Sequence, residues 1–368
     1  MSLVTGGRKA TVDPPTLSNP RQPIHSTETA QLALPEEALV SVLDHWNPVL
    51  LSRELGRKPV GVRLDGRPIA LFRDRSGGVG AVSDICPHRR MSLSLGSVQN
   101  NRLVCPYHGW SFSSRGDGES PGTPKLQCQI DAYDVREEHG TIWLKGAGRQ
   151  ATFPTFPVEG YFRISEHRHL VCAPLSVTLD NFCEMEHTGA THTVFGYDLD
   201  RLSEVTMKVE TTDTEVRVTS TGPPKALPWW VRQLMGARRD AIFHDNWVTR
   251  FSPLHNVHEH DWVDPQSGRV AWFRMKIVNL FAPADARTTI LTLLVYGKSA
   301  WPGPNGALRL ARPFIRRTVE AEVRRDVWML DHLGDKSEEM PGMKLSRFDK
   351  ALIPTRDRAR QLYFGDGD

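Results

Sequence analysis

The sequence predicts an α+β protein: an N-terminal all-β section, then a section built on an antiparallel sheet with at least one long helix. Three observations carry this expectation. The stretch "VGVRLDGRPIALFRD" reads as two short strands around Asp65-Gly66, and Asp-Gly between such strands is a strong hairpin signal. Two later stretches, "EVTMKVETTDTEVRVTSTG" and "RVAWFRMKIVNLFAPADARTTILTLLVYG", alternate over lengths that suit antiparallel pairing. Near the end, "RRTVEAEVRRDVWMLDHLGD" carries apolar residues at helical spacing.

The elements follow in order. Residues 1–35 read as a disordered leader, without an apolar core of signal-peptide length. From "PEEALVSVLDHWNPVLLSREL" the pattern tightens, and "GVGAVSDICPHRR" continues as a strand running into Cys86. Short strands such as "GTIWLKG" between Gly-rich turns extend the all-β section, expected over 36–150, to the Pro-containing "FPTFPVEGYF". The second domain, expected over 151–368, opens with "VTLDNFCEMEHTGATHTVF", a helix running into a turn. There is no internal repeat and no low-complexity tract.

At 368 residues the chain is long enough for two domains and a sizeable core. Its 46 basic and 43 acidic residues are interspersed and sum to +3, which gives no reason to expect nucleic acid or an anionic membrane as partner. The odd count of five cysteines suits a reducing cytoplasm with thiols or metal ligands better than a disulfide framework. No run approaches the length of a membrane span.

Two pairs of soft to borderline ligands stand close together: Cys86-x-His88, sixteen residues, then Cys105-x-x-His108. Zinc and iron both accept such a set. Common zinc fingers place Cys with Cys and His with His, whereas here each Cys is paired with a His, so two loops can each give one ligand to each of two irons. "CPHR" with "CPYHGW", including Pro87, Pro106, Gly109 and Trp110, resembles the Rieske motif of ring-hydroxylating oxygenases. The resemblance implies a Rieske two-iron, two-sulfur (2Fe-2S) cluster on Cys86, His88, Cys105 and His108, a carrier of single electrons.

A second set lies in "DNFCEMEHTGATH". On an ideal helix His187 and His192 would be about 140° apart, so the helix must end or bulge between them for both to reach one ion. Gly189 is well placed for that break. In the late helix Val319, Val323, Leu330 and Leu333 fall within roughly 40° of one line, with Asp326 on the same stripe. A carboxylate on an apolar face is costly unless it is paired or holds a metal. Asp331 falls outside the stripe and reads as a solvated charge. His187, His192 and Asp326 would form a two-His, one-carboxylate triad, which leaves iron(II) positions open.

The same positions match the family's pattern for mononuclear iron. There the resemblance implies a further role for Glu184: bridging His108 of a neighbouring subunit to His187. Glu stands here where Asp is usual, adding one methylene; Glu186 is the rival carboxylate, at a non-matching offset. Asn181 belongs to the same motif as an outer partner.

His255, His258 and His260 precede a hairpin turn at Asp264 to Gly268, with His258 and His260 on one strand face. They read as polar strand positions or pocket lining rather than a metal site. Cys128, Cys172 and Cys183 read as packed thiols. "PPKALPWWVRQLMG" at 223–236 reads as a lid over the iron site or as a surface helix with a buried Trp.

The resemblance covers nearly all the chain after about residue 40. It implies a Rieske β-domain followed by a helix-grip, START-like catalytic domain, a homotrimer, and an oxygenase component that activates O2 on a small organic, cyclic substrate, with monooxygenation or demethylation favoured over dihydroxylation or desaturation. Electrons would come from NAD(P)H through a separate flavin reductase or ferredoxin, since no Gly-x-Gly-x-x-Gly fingerprint follows a strand. Two other classes stay open: a non-catalytic Rieske electron carrier or ligand sensor, and a zinc-stabilised binding module.

Overall fold

In the computed structural model, residues 41–299 and 306–365 are described. The leader expected over 1–35 lies outside them. The first strands are β1 (Asn47–Leu51), β2 (Val60–Leu64), β3 (Arg67–Arg73), β4 (Val79–Ser83), β5 (Ser97–Gln99), β6 (Arg102–Val104), β7 (Ser111–Phe112), β8 (Asp117–Glu119), β9 (Cys128–Gln129), β10 (Tyr133–Glu138) and β11 (Thr141–Gly146). They form three antiparallel sheets in the orders β1-β11-β10, β2-β3-β4 and β5-β6-β7-β8-β9.

The Asp65-Gly66 hairpin forms as the sequence predicts. Both residues have positive φ, 51° and 72°, the combination that matches the twist of a tight two-residue hairpin. The tip then docks: Asp65 N–H donates to Pro283 O at 2.9 Å and Gly66 N–H to Ala284 O at 2.8 Å. This turn joins the β-rich section to the sheet that follows.

That sheet has seven strands: β12 (Phe162–Val171), β13 (Thr206–Thr211), β14 (Glu215–Gly222), β15 (Ile242–Phe251), β16 (Leu254–Val263), β17 (Phe273–Asp285) and β18 (Thr288–Ser299). Their order is β12-β18-β17-β16-β15-β14-β13, antiparallel throughout. β15 alternates strictly between buried and half-buried residues, so Phe243, Asp245, Trp247 and Thr249 share the inner face.

Among the described residues five α-helices accompany this sheet: α1 (Leu175–Asn181), α2 (Glu186–Thr191), α3 (Trp229–Met235), α4 (Gly306–Asp331) and α5 (Leu352–Tyr363). α4 packs on β12 and β18, and α1 packs against α4, α5, β17 and β18. Val319, Val323 and Leu330 of α4 are buried, each worth about 1.5–3 kcal/mol of transfer free energy before conformational entropy is deducted. Arg356 of α5 ties α1 down, with Nε 2.9 Å from Asp180 Oδ1.

Several expectations need correction. α4 ends at Asp331, so Leu333 leaves the apolar stripe and is 42% exposed. Asp331 is not a solvated charge: its Oδ1 accepts the Cys172 N–H at 2.7 Å, a tether across 159 residues that spacing within one helix does not reveal. Cys172 itself is exposed rather than packed. In α3, Trp229 and Trp230 are both exposed, so this helix does not bury a Trp.

Candidate functional site

The first ligand set sits on two loops of matching construction. β4 leads through Ile85 into Cys86, whose N–H donates to Met91 O at 2.9 Å while its C=O accepts from Arg90 N–H at 2.8 Å. Between β6 and β7 the pattern recurs: Cys105 N–H donates to Trp110 O at 2.7 Å and its C=O accepts from Gly109 N–H at 3.1 Å. Arg90 and Gly109 hold equivalent left-handed positions, φ 56° and 71°. Gly takes this conformation freely and Arg does so at a cost of order 1 kcal/mol.

The four side chains divide by depth. Cys86 and Cys105 are 1% and 2% exposed, whereas His88 and His108 lie at the surface. The imidazole rings are 4.5 Å apart, centre to centre, and Trp110 stacks on His88 at 5.1 Å. Burial, with Cys105 alongside, pushes the Cys86 thiol up, and the two sulfurs are not bridged. Two buried, unbridged thiols side by side suit a cluster, because bound metal deprotonates coordinating thiols and compensates the charge.

The second set is assembled by α2 and α4. His187 is the second residue of α2, whereas His192 is its C-cap, with φ −79° and ψ 152°. The helix therefore breaks between Thr191 and His192, not at Gly189, which lies inside α2. Gly189 serves close packing instead: a Cβ there would meet Leu199 Cδ1 at 3.3 Å. His187 Nε2 and His192 Nε2 stand 3.4 and 2.8 Å from Asp326 Oδ1, and the two rings are nearly perpendicular at 5.1 Å. The three ligand atoms all lie within 4.8 Å of one another.

Glu184 caps this arrangement. Its Oε1 contacts His187 Nδ1, and its Oε2 accepts the His187 N–H at 3.2 Å. A carboxylate on Nδ1 fixes a proton there and aims Nε2 inward, where a metal would displace the proton shared with Asp326. Burial lowers the tendency of His187 to hold a second proton, but Glu184 and Asp326 outweigh it and raise its pKa to about 10. Asp326 is pushed up by burial and held well below the carboxylate range by the two imidazoles. Two imidazoles and a carboxylate converging in a buried space suit a divalent cation, which would take the place of the protons they share. Glu186 turns away to accept from Ser346 Oγ at 2.6 Å.

Glu184, His187, His192 and Asp326 line one cavity between α4 and the sheet, with Asn181 at its wall. The Asn181 Nδ2 is buried and has no hydrogen-bond partner among the described residues. Glu322 and Gly196 are among the residues that escaped the sequence reading. Glu322, one turn before Asp326 on the same buried face, accepts from Thr193 N–H at 3.0 Å and Thr193 Oγ at 2.5 Å, fixing the residue after His192. Its signal was a second acid on the stripe. Gly196, φ 101°, lets Thr188 of α2 pack where a Cβ would meet Thr188 Oγ1 at 2.2 Å.

A family model for the Rieske [2Fe-2S] domain matches residues 45–134. Among curated proteins, the phthalate 4,5-dioxygenase oxygenase subunit of Pseudomonas putida is 32% identical over 40% of this chain and 37% of its own length. The 4beta-methylsterol monooxygenase of Methylococcus capsulatus is 34% identical over 39% of this chain and 43% of its own. The matched part thus spans well under half the length of these relatives. Among solved structures, dicamba monooxygenase bound to 3,6-dichlorosalicylic acid superposes with a TM-score of 0.72 at 19% identity, covering 87% of this chain and 97% of that one. Pseudomonas putida NdmA with caffeine gives 0.64 at 22%, covering 87% and 91%. The chain carries a Rieske 2Fe-2S domain, and its relatives in sequence and in fold are Rieske non-heme iron oxygenases.

Proposed function

We propose that the chain is the terminal oxygenase component of a Rieske system, with its Rieske section over 36–150 and its catalytic section over 151–368. It hydroxylates or demethylates a small organic, cyclic substrate. Cys86, His88, Cys105 and His108 hold the 2Fe-2S cluster; His187, His192 and Asp326 hold iron(II). The observation that carries this reading is the convergence of those three side chains on one point of a buried cavity, behind a Rieske domain. Neither an electron carrier nor a zinc module accounts for both.

When bound, the cluster supplies single electrons and the iron supplies the reduction of oxygen. The chain's own residues do the rest. Glu184 keeps the proton of His187 on Nδ1 and links that ring to His108 of a neighbouring subunit in a head-to-tail homotrimer. Glu322 holds the backbone after His192. Phe182, Phe195, Ile277 and Leu293 keep the cavity wall apolar, which limits water at the reacting atoms. Electrons come from NAD(P)H through a ferredoxin or flavin reductase. No described helix is long and apolar enough to cross a membrane, and we place the protein in the cytoplasm.

The test is reconstitution with a reductase and labelled oxygen. A candidate substrate should yield a product whose label, or whose lost methyl group, depends on iron, reductant and O2 together. A colourless protein carrying stoichiometric zinc would sink the reading.

A further inference from the structure

The cavity holds a second polar cluster, opposite the iron ligands. β15 and β16 pair Asp245 directly with His260, and His258 sits two residues away on the same face. Asp245 Oδ1 is 3.0 Å from His258 Nδ1 and 3.2 Å from His260 Nε2. His258 Nε2 is 3.2 Å from Phe182 O. All three side chains are buried, His260 to 93%, being 7% exposed. Only one of their ring nitrogens, His260 Nδ1, has no hydrogen-bond partner among the described residues.

Hydrogen counting assigns the protons. Phe182 O can only accept, and Asp245 is a carboxylate: burial pushes it up, but the two imidazoles hold it far below the ordinary range. His258 therefore faces an acceptor at each nitrogen, and Trp247 holds the ring in place by stacking on it at 5.1 Å and 14°. His260 donates from Nε2 to Asp245, so its Nδ1 is left with a lone pair. That nitrogen lies among apolar rings: Phe195 and Phe243 are 6.1 and 5.4 Å from His260, centre to centre.

Phe195 also borders a second hollow, largely apolar, walled by Leu227, Trp230, Met235 and Phe314. His260 lines the iron cavity, ring to ring 6.1 Å from Phe195, the residue that borders both hollows. We infer that His260 Nδ1 is a hydrogen-bond acceptor for the substrate, and that Asp245 and His258 are positioning residues that fix its tautomer. The ligand class is an apolar, cyclic molecule bearing one hydroxyl or N–H donor, not a carboxylate. The inference rests on the oxygenase reading only in calling that ligand a substrate.

Binding, not turnover, is the test. Metal-loaded protein is titrated calorimetrically, without reductant, with 2-naphthol, 2-methoxynaphthalene and 2-naphthoate. The naphthol should bind about tenfold more tightly than either analogue, the scale of one buried hydrogen bond. His260→Phe, with unchanged iron and sulfide content, should abolish the difference, and His260→Gln, whose amide oxygen accepts, should keep part of it. Equal binding of the three, tightest binding of the naphthoate, or an unchanged preference in His260→Phe overturns the inference. Should His260→Phe fail to fold, the ranking on the unaltered protein still decides. A naphthol preference in a protein that makes no oxygenated product would sink the oxygenase reading alone.

Discussion

Glu184 and Asp326 face opposite nitrogens of one ring: Glu184 meets His187 at Nδ1, and Asp326 lies 3.4 Å from its Nε2. A single imidazole is thereby set between an outer acid at the cavity rim and an inner acid on α4. The outer acid has two duties, orienting the ring and, in the proposed assembly, bridging it to a neighbour's His108 so that an electron can pass between the metal centres.

Glu184→Ala separates those duties. Loss of the orienting partner should weaken iron(II) binding about 10–100-fold. At saturating iron both metal centres should remain while coupled product formation disappears. Iron titration beside product analysis checks this; full turnover at saturating iron would remove the bridge.

Asp326→Ala should lose the mononuclear iron and leave the Rieske centre intact. The two imidazoles remain, but a two-ligand site binds iron(II) far more weakly than a triad. Iron quantitation should fall by one per chain while the absorption and the paramagnetic signal of the reduced cluster are unchanged.

Gly196→Ala should damage the iron site from outside it. The new Cβ would collide with Thr188, next to His187, and the positive φ of 101° strains any L side chain. A loss of roughly 2–4 kcal/mol is expected, in the range of overpacking with backbone strain. Denaturant unfolding and iron affinity should fall together, whereas Gly66→Ala, in an open hairpin turn with φ 72°, should cost only about 1 kcal/mol and leave iron binding alone.

Acid should destabilise the fold partly through His255. Burial is the main cause that lowers its pKa to about 4, against which its contact with Pro253 O at 2.6 Å works only weakly. The folded state thus favours neutral His255, and the unfolded chain takes up a proton below about pH 6.5. Stability from this group is fully present above that pH and declines as pH falls to about 4, by about 3 kcal/mol in all. Melting curves from pH 7 to 4 should show a shallower decline in His255→Gln.

The parts of this architecture that short segments determine were legible in the sequence. The Cys86–His108 loops need only local backbone bonds, and the Asp65-Gly66 turn needs only positive φ at two residues. Asp326 betrayed itself as an acid among valines. What failed was set by tertiary contact: Asp331 is tied to Cys172, and Gly189 packs on Leu199 instead of breaking α2. Asp245 gave no signal, because only the pairing of β15 with β16 places it opposite His260.

The depth gradient of the Rieske loops, sulfur inside and imidazole outside, has a consequence for the enzyme in dilute solution. In the proposed assembly, a cluster whose outward ligands face the solvent would behave as a plug, conducting to an iron only while seated in a socket on another copy. In the proposed assembly, dilution below the dissociation constant of the oligomer should therefore switch turnover off, with every domain folded, every metal in place and the substrate still bound.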